Sequence, residues 1–309
     1  MSFNSLLLRN GVDVVSESHV GRSPLRYVTG SNNRHKSYEI FKLLFKTSEV
    51  TIDSADDMKR TPFSYAAEEE HLEVVQLLLE TGEVQIDLAD RCRRTPLSYA
   101  AGNGKVEVAK LLFLTNQVKI NSKDQLDLSP LVWAAREKHL GVVKLLLQAN
   151  TVDVDSKDYK KRTTLSYAAI SQQPELVELL LDTGNVDVNS MDEERRTPLS
   201  HAAEGWDCQV LKLFLEADKI DVNARDCNGW TPLRWAVIRP ESVTEYAKAL
   251  VDVKALAKVK ALLDIGKADP SIADHDGKTP LPWAQEAGRK EAADYLATKM
   301  HADSSTNSL

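Results

Sequence analysis

The chain of 309 residues is 42% hydrophobic and 28% charged, which excludes the disordered and collagen-like classes. Its net charge of −7 argues against a nucleic-acid partner, because binding a phosphate backbone requires a surplus of Lys and Arg. The three cysteines are too few for a disulfide framework or a zinc site, and no apolar run approaches the roughly 20 residues that span a bilayer. We therefore expect an intracellular protein, cytoplasmic or nuclear, that needs no metal, cofactor or membrane.

A seven-residue motif recurs along the chain at a constant spacing. Copies of Thr-Pro-Leu-x-x-Ala-Ala, with small variations, begin at residues 61, 95, 129, 163, 197 and 231, so consecutive copies are 34 residues apart. A degenerate copy begins at Ser23 and a last copy begins at Thr279. The Thr is a good helix N-cap and Pro suits the first helical position, so each motif predicts the start of a short helix.

A second apolar segment follows each motif, for example at residues 74–79 and 142–147. It predicts a second helix, which Gly82 or Gly184 would end, and a polar turn leads to the next motif. One such unit cannot bury both of its faces, so neighbouring units must stack and share a core. The pattern predicts an all-α solenoid of about eight helix-turn-helix units joined by hairpin turns.

The motif, the Leu-Leu-Leu-x-x-Gly helix end and the Asp-Val-Asn tail resemble the ankyrin repeat over about residues 5–300. The segments around Val152–Ala169 and Gly184–Ala203 are more narrowly similar to the near-identical ankyrin arrays of fungi. Those arrays often form the C-terminal sensor part of NACHT-type receptors. The family's usual mode of action implies a protein-interaction module or adaptor that binds its partner through the concave face and the hairpin tips.

The regular pattern changes at both ends of the chain. Residues 1–22 are interpreted either as a partial repeat cut from a longer array or as an N-terminal cap. The step from Ser23 to Thr61 is 38 residues, which places a longer loop near residues 30–35. At the other end, a polar second helix near Lys290 is typical of a capping repeat, and residues 301–309 are predicted to be a disordered tail.

A larger insertion separates the last two motifs. Thr231 and Thr279 are 48 residues apart, and aligning Gly266 with Gly82 places the extra residues at about 240–258. Apolar residues keep a helical spacing through this segment, so it predicts an extra or lengthened helix. It is either a packed elaboration of the repeat or a functional lid.

Basic pairs stand at the predicted hairpin tips, where the family usually has a glycine. The glycine is replaced by Lys59, Arg93, Lys161 and Arg195, so the backbone geometry of these tips is not predicted. Each replacement directly precedes an arginine, namely Arg60, Arg94, Arg162 and Arg196. These pairs are either solvated turn residues or a positive stripe that complements an acidic partner surface.

Aromatic residues provide a second candidate for binding. The fifth motif position is aromatic or His in every copy, for example Trp133, Tyr167, His201 and Trp235, which indicates either packing between first helices or a binding face. Trp230 is expected at an exposed tip. Trp and Arg are the residues most often found at binding hot spots. The predicted binding residues are Arg60, Arg94, Trp133, Tyr159, Arg162, Tyr167, Arg196, His201, Trp206, Trp230, Arg234 and Trp235.

Two functions fit this pattern. A monomeric protein-binding module is favoured, and no strong catalytic motif is present. The alternative is a small-molecule binder or an unusual enzyme that uses a groove around His201 and Trp235, with His201 as a general acid or base because its ordinary pKa is near neutrality. A repeat fragment without an independent role is a third interpretation.

Overall fold

The computed structural model describes residues 23–29, 34–45, 51–238 and 245–306. The chain forms two compact units, Met1–Asp158 and Tyr159–Leu309. The described residues of both units contain α-helices and turns but no β-strand. No helix in the described ranges is both long enough and apolar enough to cross a membrane.

Short helices follow one another in pairs. The helices of the first unit are α1 (Pro24–Thr29), α2 (Arg34–Phe45), α3 (Pro62–Glu69), α4 (Leu72–Glu80), α5 (Pro96–Gly102), α6 (Val106–Leu114), α7 (Pro130–Arg136) and α8 (Leu140–Leu146). Those of the second unit are α9 (Thr164–Ile170), α10 (Pro174–Leu181), α11 (Pro198–Glu204), α12 (Cys208–Leu215), α13 (Pro232–Ala236), α14 (Glu245–Lys260), α15 (Pro280–Glu286) and α16 (Lys290–Thr306).

The first helix of each pair begins where the motif predicts. The Thr95 hydroxyl accepts a hydrogen bond from the backbone N–H of Ser98 at 3.2 Å, and Pro96 occupies the first helical position. Ser129 and Thr231 cap α7 and α13 in the same way. These caps satisfy an otherwise free N–H at the helix start, which explains why helices of only five to eight residues form at fixed positions.

Within each unit, first helices pack on first helices and second helices on second helices. In the first unit, α3, α5 and α7 are consecutive neighbours, and α4, α6 and α8 form the second layer. Ala100 and Ala101 of α5 are fully buried, and their small side chains allow the close approach of the flanking helices. Val108 and Leu112 of α6 are also fully buried, so the core runs between the two layers.

Within each unit, a polar residue after the second helix links neighbouring repeats. The Asn121 Oδ1 atom accepts a hydrogen bond from the backbone N–H of Asp153 at 2.9 Å, and its Nδ2 atom donates to the carbonyl of Thr151 at 2.8 Å. Asp87, one repeat earlier, accepts from the N–H of Lys119 at 2.9 Å, but its buried Oδ1 atom has no partner in the described part of the chain. An Asn at this position therefore makes one more hydrogen bond than an Asp does.

We expect Asp87→Asn to raise the free energy of unfolding by about 1 kcal/mol, because the new amide can donate to the carbonyl of Gln117 as Asn121 does to Thr151. Burial raises the pKa of Asp87 despite the hydrogen bond from Lys119, so the folded chain binds this proton more tightly than the unfolded chain. The stabilisation by Asn should consequently be larger at pH 7 than near pH 4. Urea unfolding at the two pH values measures it, and Asn121→Asp should have the opposite effect.

Within the predicted insertion, residues 245–258 lie in a lengthened helix, and residues 240–244 fall outside the described residues. Helix α14 is 16 residues long and continues into a π-helical turn, Ala261–Ile265. Lys258 is buried, and its Nζ atom donates to the carbonyls of Ala203 at 2.7 Å and Gly205 at 2.8 Å. Asp252 forms an ion pair with the buried Arg289. These contacts favour a packed elaboration over a movable lid.

Two of the predictions for the ends of the chain fall outside the described residues, namely segment 1–22 and residues 30–33 of the longer loop. The prediction of a disordered tail from residue 301 is wrong for residues 301–306, which continue α16. The polar composition suggested disorder, but no Gly or Pro interrupts the chain after Gly288, so the backbone hydrogen bonds of the helix continue.

Candidate functional site

An aspartate organises the hairpin tips that precede the first helices from α3 onward. The Asp226 Oδ1 atom accepts hydrogen bonds from the backbone N–H groups of Asn228 at 2.8 Å and Trp230 at 2.9 Å. Asp56 and Asp192 bind their tips in the same way. This aspartate was not among the predicted site residues, although an Asp stands five positions before every motif that begins between residues 61 and 279: Asp56, Asp90, Asp124, Asp158, Asp192, Asp226 and Asp274.

The tips keep one backbone geometry whether or not they contain glycine. Gly229 has φ +77°, and Lys59 and Arg93 adopt φ 59° and 61° at the equivalent positions. A side chain in this left-handed region costs about 1 kcal/mol, and the hydrogen bonds to the tip aspartate hold the turn against that cost. The replacement of the family's glycine therefore leaves the tip geometry intact.

Consecutive tips are joined by their backbones. In the first unit, the N–H of Arg91 donates to the carbonyl of Met58 at 2.8 Å, and the N–H of Gln125 donates to that of Cys92 at 2.9 Å. In the second unit, the N–H of Cys227 donates to the carbonyl of Glu194 at 2.9 Å. The tips of each unit are thus held in register, and their side chains are presented at fixed positions.

The aromatic side chains at the fifth motif position donate hydrogen bonds to the second carboxylate oxygen of the tip aspartate. Tyr99 donates its hydroxyl to Asp90 Oδ2 at 2.6 Å, and the indole N–H of Trp235 donates to Asp226 Oδ2 at 3.0 Å. Burial and the hydrogen bond to Asp90 raise the pKa of Tyr99, so the hydroxyl stays protonated and remains a donor. Each of these side chains ends in an O–H or N–H donor, which explains why Tyr, Trp and His occur at the fifth motif position and Phe does not.

Arginines lie between the aromatic rings of the first unit. The guanidinium of Arg60 lies 3.7 Å from the ring centre of Tyr65 and 4.0 Å from that of Tyr99. Arg94 lies 4.0 Å from the ring centre of Tyr99 and 4.2 Å from that of Trp133. Each arginine therefore bridges two consecutive repeats through contacts with the faces of their aromatic rings.

In the second unit, the guanidinium of Arg196 lies 3.6 Å from the ring centre of Trp235. Arg234 lies over two rings, 4.2 Å from the centre of Trp230 and 3.9 Å from that of Trp283. Trp230 also packs against Trp235, with 4.9 Å between the ring centres. This cluster links the tips and first helices of the last repeats.

Comparison with known proteins identifies the repeat. A family model described as "Ankyrin repeats (3 copies)" matches residues 3–90, 32–124, 97–192 and 165–258, which together cover well over half of the chain. The chain belongs to the ankyrin-repeat family. Its structure is similar to the crystal structure of the ankyrin repeat domain of Bcl-3, described as a unique member of the IkappaB protein family. That likeness has a TM-score of 0.62 and 25% sequence identity, and covers 77% of this chain and 98% of the Bcl-3 domain. No curated protein sequence matches this chain.

Many of the predicted binding residues serve the ankyrin-repeat scaffold itself. Tyr167, His201 and Trp235 are buried, and Trp133 donates its indole N–H to Asp124 at 2.9 Å. The arginines of the basic pairs fold back onto aromatic rings or carboxylates: Arg60, Arg94, Arg162 and Arg196. Only the first member of each pair is exposed, so a positive stripe would consist of Lys59, Arg93, Lys161 and Arg195.

The expectation that Trp230 lies exposed at a tip is wrong. Trp230 is half-buried because Trp235, Trp283 and Arg234 pack around it. Trp206, in contrast, is 74% exposed in the turn after α11, with Lys254 Nζ 5.3 Å from its ring centre. Tyr159 is 53% exposed at its tip. Trp206 and Tyr159 are thus the predicted aromatic residues that remain open to a partner.

The structure adds accessible apolar residues that were not among the predicted binding residues. Met58 and Leu126 are 47% and 43% exposed at equivalent tip positions, with the half-buried Cys92 between them. Ile170 is exposed at the end of α9. The signal in the sequence was an apolar residue three positions before the motif in three consecutive repeats.

A shallow pocket of about 230 Å³ lies at His201, one of the two residues named for the predicted groove. It is lined by Arg162, Ile170, Arg196, His201, Glu204 and Gly205. His201 Nε2 is 2.9 Å from Asp192 Oδ2, and burial lowers the pKa of His201 more than the hydrogen bond with Asp192 raises it. His201 is consequently neutral at pH 7. Trp235 is not part of the lining, so this pocket differs from the groove predicted around His201 and Trp235.

His201 replaces the Tyr or Trp donor of other repeats. We expect His201→Phe to lower the free energy of unfolding by about 2 kcal/mol, because it leaves Asp192 Oδ2 without its strongest donor. His201→Tyr restores a donor that the equivalent positions Tyr65 and Tyr99 accommodate, and should cost much less. Urea unfolding of the two variants separates a structural donor from a chemical role. Equal destabilisation by Phe and Tyr would contradict this assignment.

Among the described residues, no group of three His, Cys, Asp or Glu side chains is arranged to hold a metal ion. Cys92, Cys208 and Cys227 are free thiols. The geometry of the site is therefore that of an ordered surface with apolar, aromatic and cationic side chains at repeat positions.

Proposed function

We propose that the chain is a protein-interaction module or adaptor that binds its partner through the hairpin tips and the exposed edges of the first helices. Ankyrin repeats are a general protein-interaction module, and their family includes this chain. The observation that supports the binding surface best is the apolar tip row of the first unit, formed by Met58, Cys92 and Leu126.

The tip row has the properties of a docking surface. Backbone hydrogen bonds join its three tips, so its side chains are ordered before a partner arrives and binding costs little conformational entropy. Lys59 and Arg93 are exposed beside the row. We infer a partner segment with an apolar centre and acidic residues at its edge, since such a surface complements both features.

The narrower context rests on the resemblance to fungal arrays. We propose that a monomeric chain acts in the cytoplasm or nucleus, either as an adaptor or as the sensor segment of a NACHT-type receptor. In both settings the chain recognises its partner as a rigid surface with little rearrangement.

Affinity purification of the tagged full chain from its native cells tests this proposal. The variant Met58→Ser/Leu126→Ser should reduce recovery of the partner about tenfold, because it removes two exposed apolar contacts without touching the core. Leu114→Ser is the matched control, since Leu114 is 65% exposed at the end of α6, away from the tips.

A partner lost with the double variant and retained with the Leu114 variant supports the tip row. Equal recovery with all three proteins would move the binding surface elsewhere. A chain that recovers only a small molecule would instead overturn the protein-binding function. Trp235→Ala is unsuitable for this purpose, because Trp235 is buried and bonded to Asp226.

A further inference from the structure

Arg234 is a buried cation whose side chain has no hydrogen-bond acceptor among the residues that the structure describes. It is only 7% exposed, and its guanidinium lies over the rings of Trp230 and Trp283 at 4.2 Å and 3.9 Å. Its Nε atom is buried and has no partner. A buried donor without an acceptor is costly, so this arrangement requires an explanation.

The Nε atoms of Arg60, Arg94 and Arg196 on the same face are also buried without a partner, but each of these arginines has an acceptor for an Nη atom, which Arg234 lacks among the described residues. Arg60 Nη2 is 2.6 Å from Glu68, and Arg196 Nη2 is 2.5 Å from Glu204, eight residues further along the chain in both cases. Arg94 Nη2 donates to the carbonyl of Ser98 at 3.3 Å. In the repeat that begins at Thr231, Trp230 stands where Arg60 and Arg196 stand in their repeats, and Ile238 stands in place of their paired glutamate. The repeat thus lacks the internal carboxylate.

The carboxylates near Arg234 already have their own donors. Asp226 accepts from two backbone N–H groups and the indole of Trp235, and Asp274 accepts from two backbone N–H groups and the indole of Trp283. Glu286 is paired with Lys278 at 2.7 Å. These groups lend a negative field to the site but leave the guanidinium without a directional partner.

Arg234 keeps its charge in this setting. Burial lowers its pKa to about 10, although Asp274, Asp226 and Glu286 act in the opposite direction. The guanidinium is therefore protonated at neutral pH and poorly hydrated. An incoming acceptor would gain more from it than from an arginine in water, because the ring faces exclude solvent on two sides.

We propose that the Arg234 site, formed by Arg234, Trp230 and Trp283, receives the side-chain carboxylate of an Asp or Glu on the protein partner. The inference rests on the proposed protein-binding function and specifies the chemistry of one contact in the second unit. A planar carboxylate matches the donor fork of a guanidinium. Asp226, Asp274 and Glu286 oppose any anion at this site, so a singly charged carboxylate meets less repulsion than a phosphate dianion does.

Selection of random peptides displayed on phage against the full chain provides the test. We expect the recovered peptides to be enriched in Asp or Glu, and a synthetic peptide from this set to lose about tenfold in affinity when its acidic residue is changed to Gln or Asn. Arg234→Gln should cause the same loss. Combining the two changes should add little, since both remove one interaction.

The control variant is Lys212→Gln, which removes an exposed cation from α12 in the second-helix layer of the same unit, away from the tips, and should leave peptide affinity unchanged. The substitution in the peptide needs no protein variant, so the test remains valid even if Arg234→Gln weakens the fold. Bound peptides without acidic enrichment, or acidic peptides indifferent to Arg234→Gln, would overturn the carboxylate site and leave protein binding standing. Failure to select any peptide would count against both.

Discussion

Replacing Asp226 with Ala should lower the free energy of unfolding by about 3 kcal/mol. The buried carboxylate accepts from the backbone N–H groups of Asn228 and Trp230 and from the indole of Trp235, and Ala leaves all three donors without an acceptor. The tip would also lose the constraint that holds Gly229 in its left-handed conformation. Urea unfolding followed by circular dichroism measures the loss.

Asp226→Asn is the graded control. Its single amide oxygen can accept either from the tip backbone or from Trp235, so it should cost about half as much. The double variant Asp226→Ala/Trp235→Phe should be less destabilised than the sum of the single variants, because both remove the same hydrogen bond. A loss below about 0.5 kcal/mol for Asp226→Ala would show that solvent satisfies the tip.

The stability of the chain should rise between pH 8 and pH 10.5 by about 3 kcal/mol through Lys258 alone. Burial, assisted by the charge of Arg289, lowers the pKa of Lys258 from 10.5 to about 8. The unfolded chain therefore binds this proton more tightly than the folded chain, so protonation favours unfolding and the penalty disappears as pH rises through this window. The neutral amine can still donate to the carbonyls of Ala203 and Gly205.

Lys258→Met isolates this effect from other groups that titrate at alkaline pH. Unfolding of both proteins in urea at several pH values between 7 and 10.5 gives the difference in free energy. The free energy of unfolding of the wild-type chain, relative to that of Lys258→Met, should increase by about 3 kcal/mol as pH rises. A difference independent of pH would mean that the ammonium group is well solvated in the folded chain.

Local features of the repeat were predictable from sequence. The caps at Thr95 and Thr231, the proline at the first helical position and the all-helical fold follow from interactions within a few residues, which the motif displays directly. Apolar spacing, a local property, predicted an extra or lengthened helix at about 240–258, and α14 occupies the described part of that segment. The tail was misjudged at residues 301–306, because a polar composition does not by itself break a helix.

The roles of the candidate site residues were not predictable in the same way. Sequence placed Trp230 and Arg60 at tips, but not their packing against rings of the same and neighbouring repeats. The constant 34-residue spacing and the identity of each capping residue can be read directly from the sequence. Only the stacked structure decides which aromatic ring covers which guanidinium and leaves Arg234 without an acceptor, because those contacts join residues that meet only after neighbouring repeats have packed.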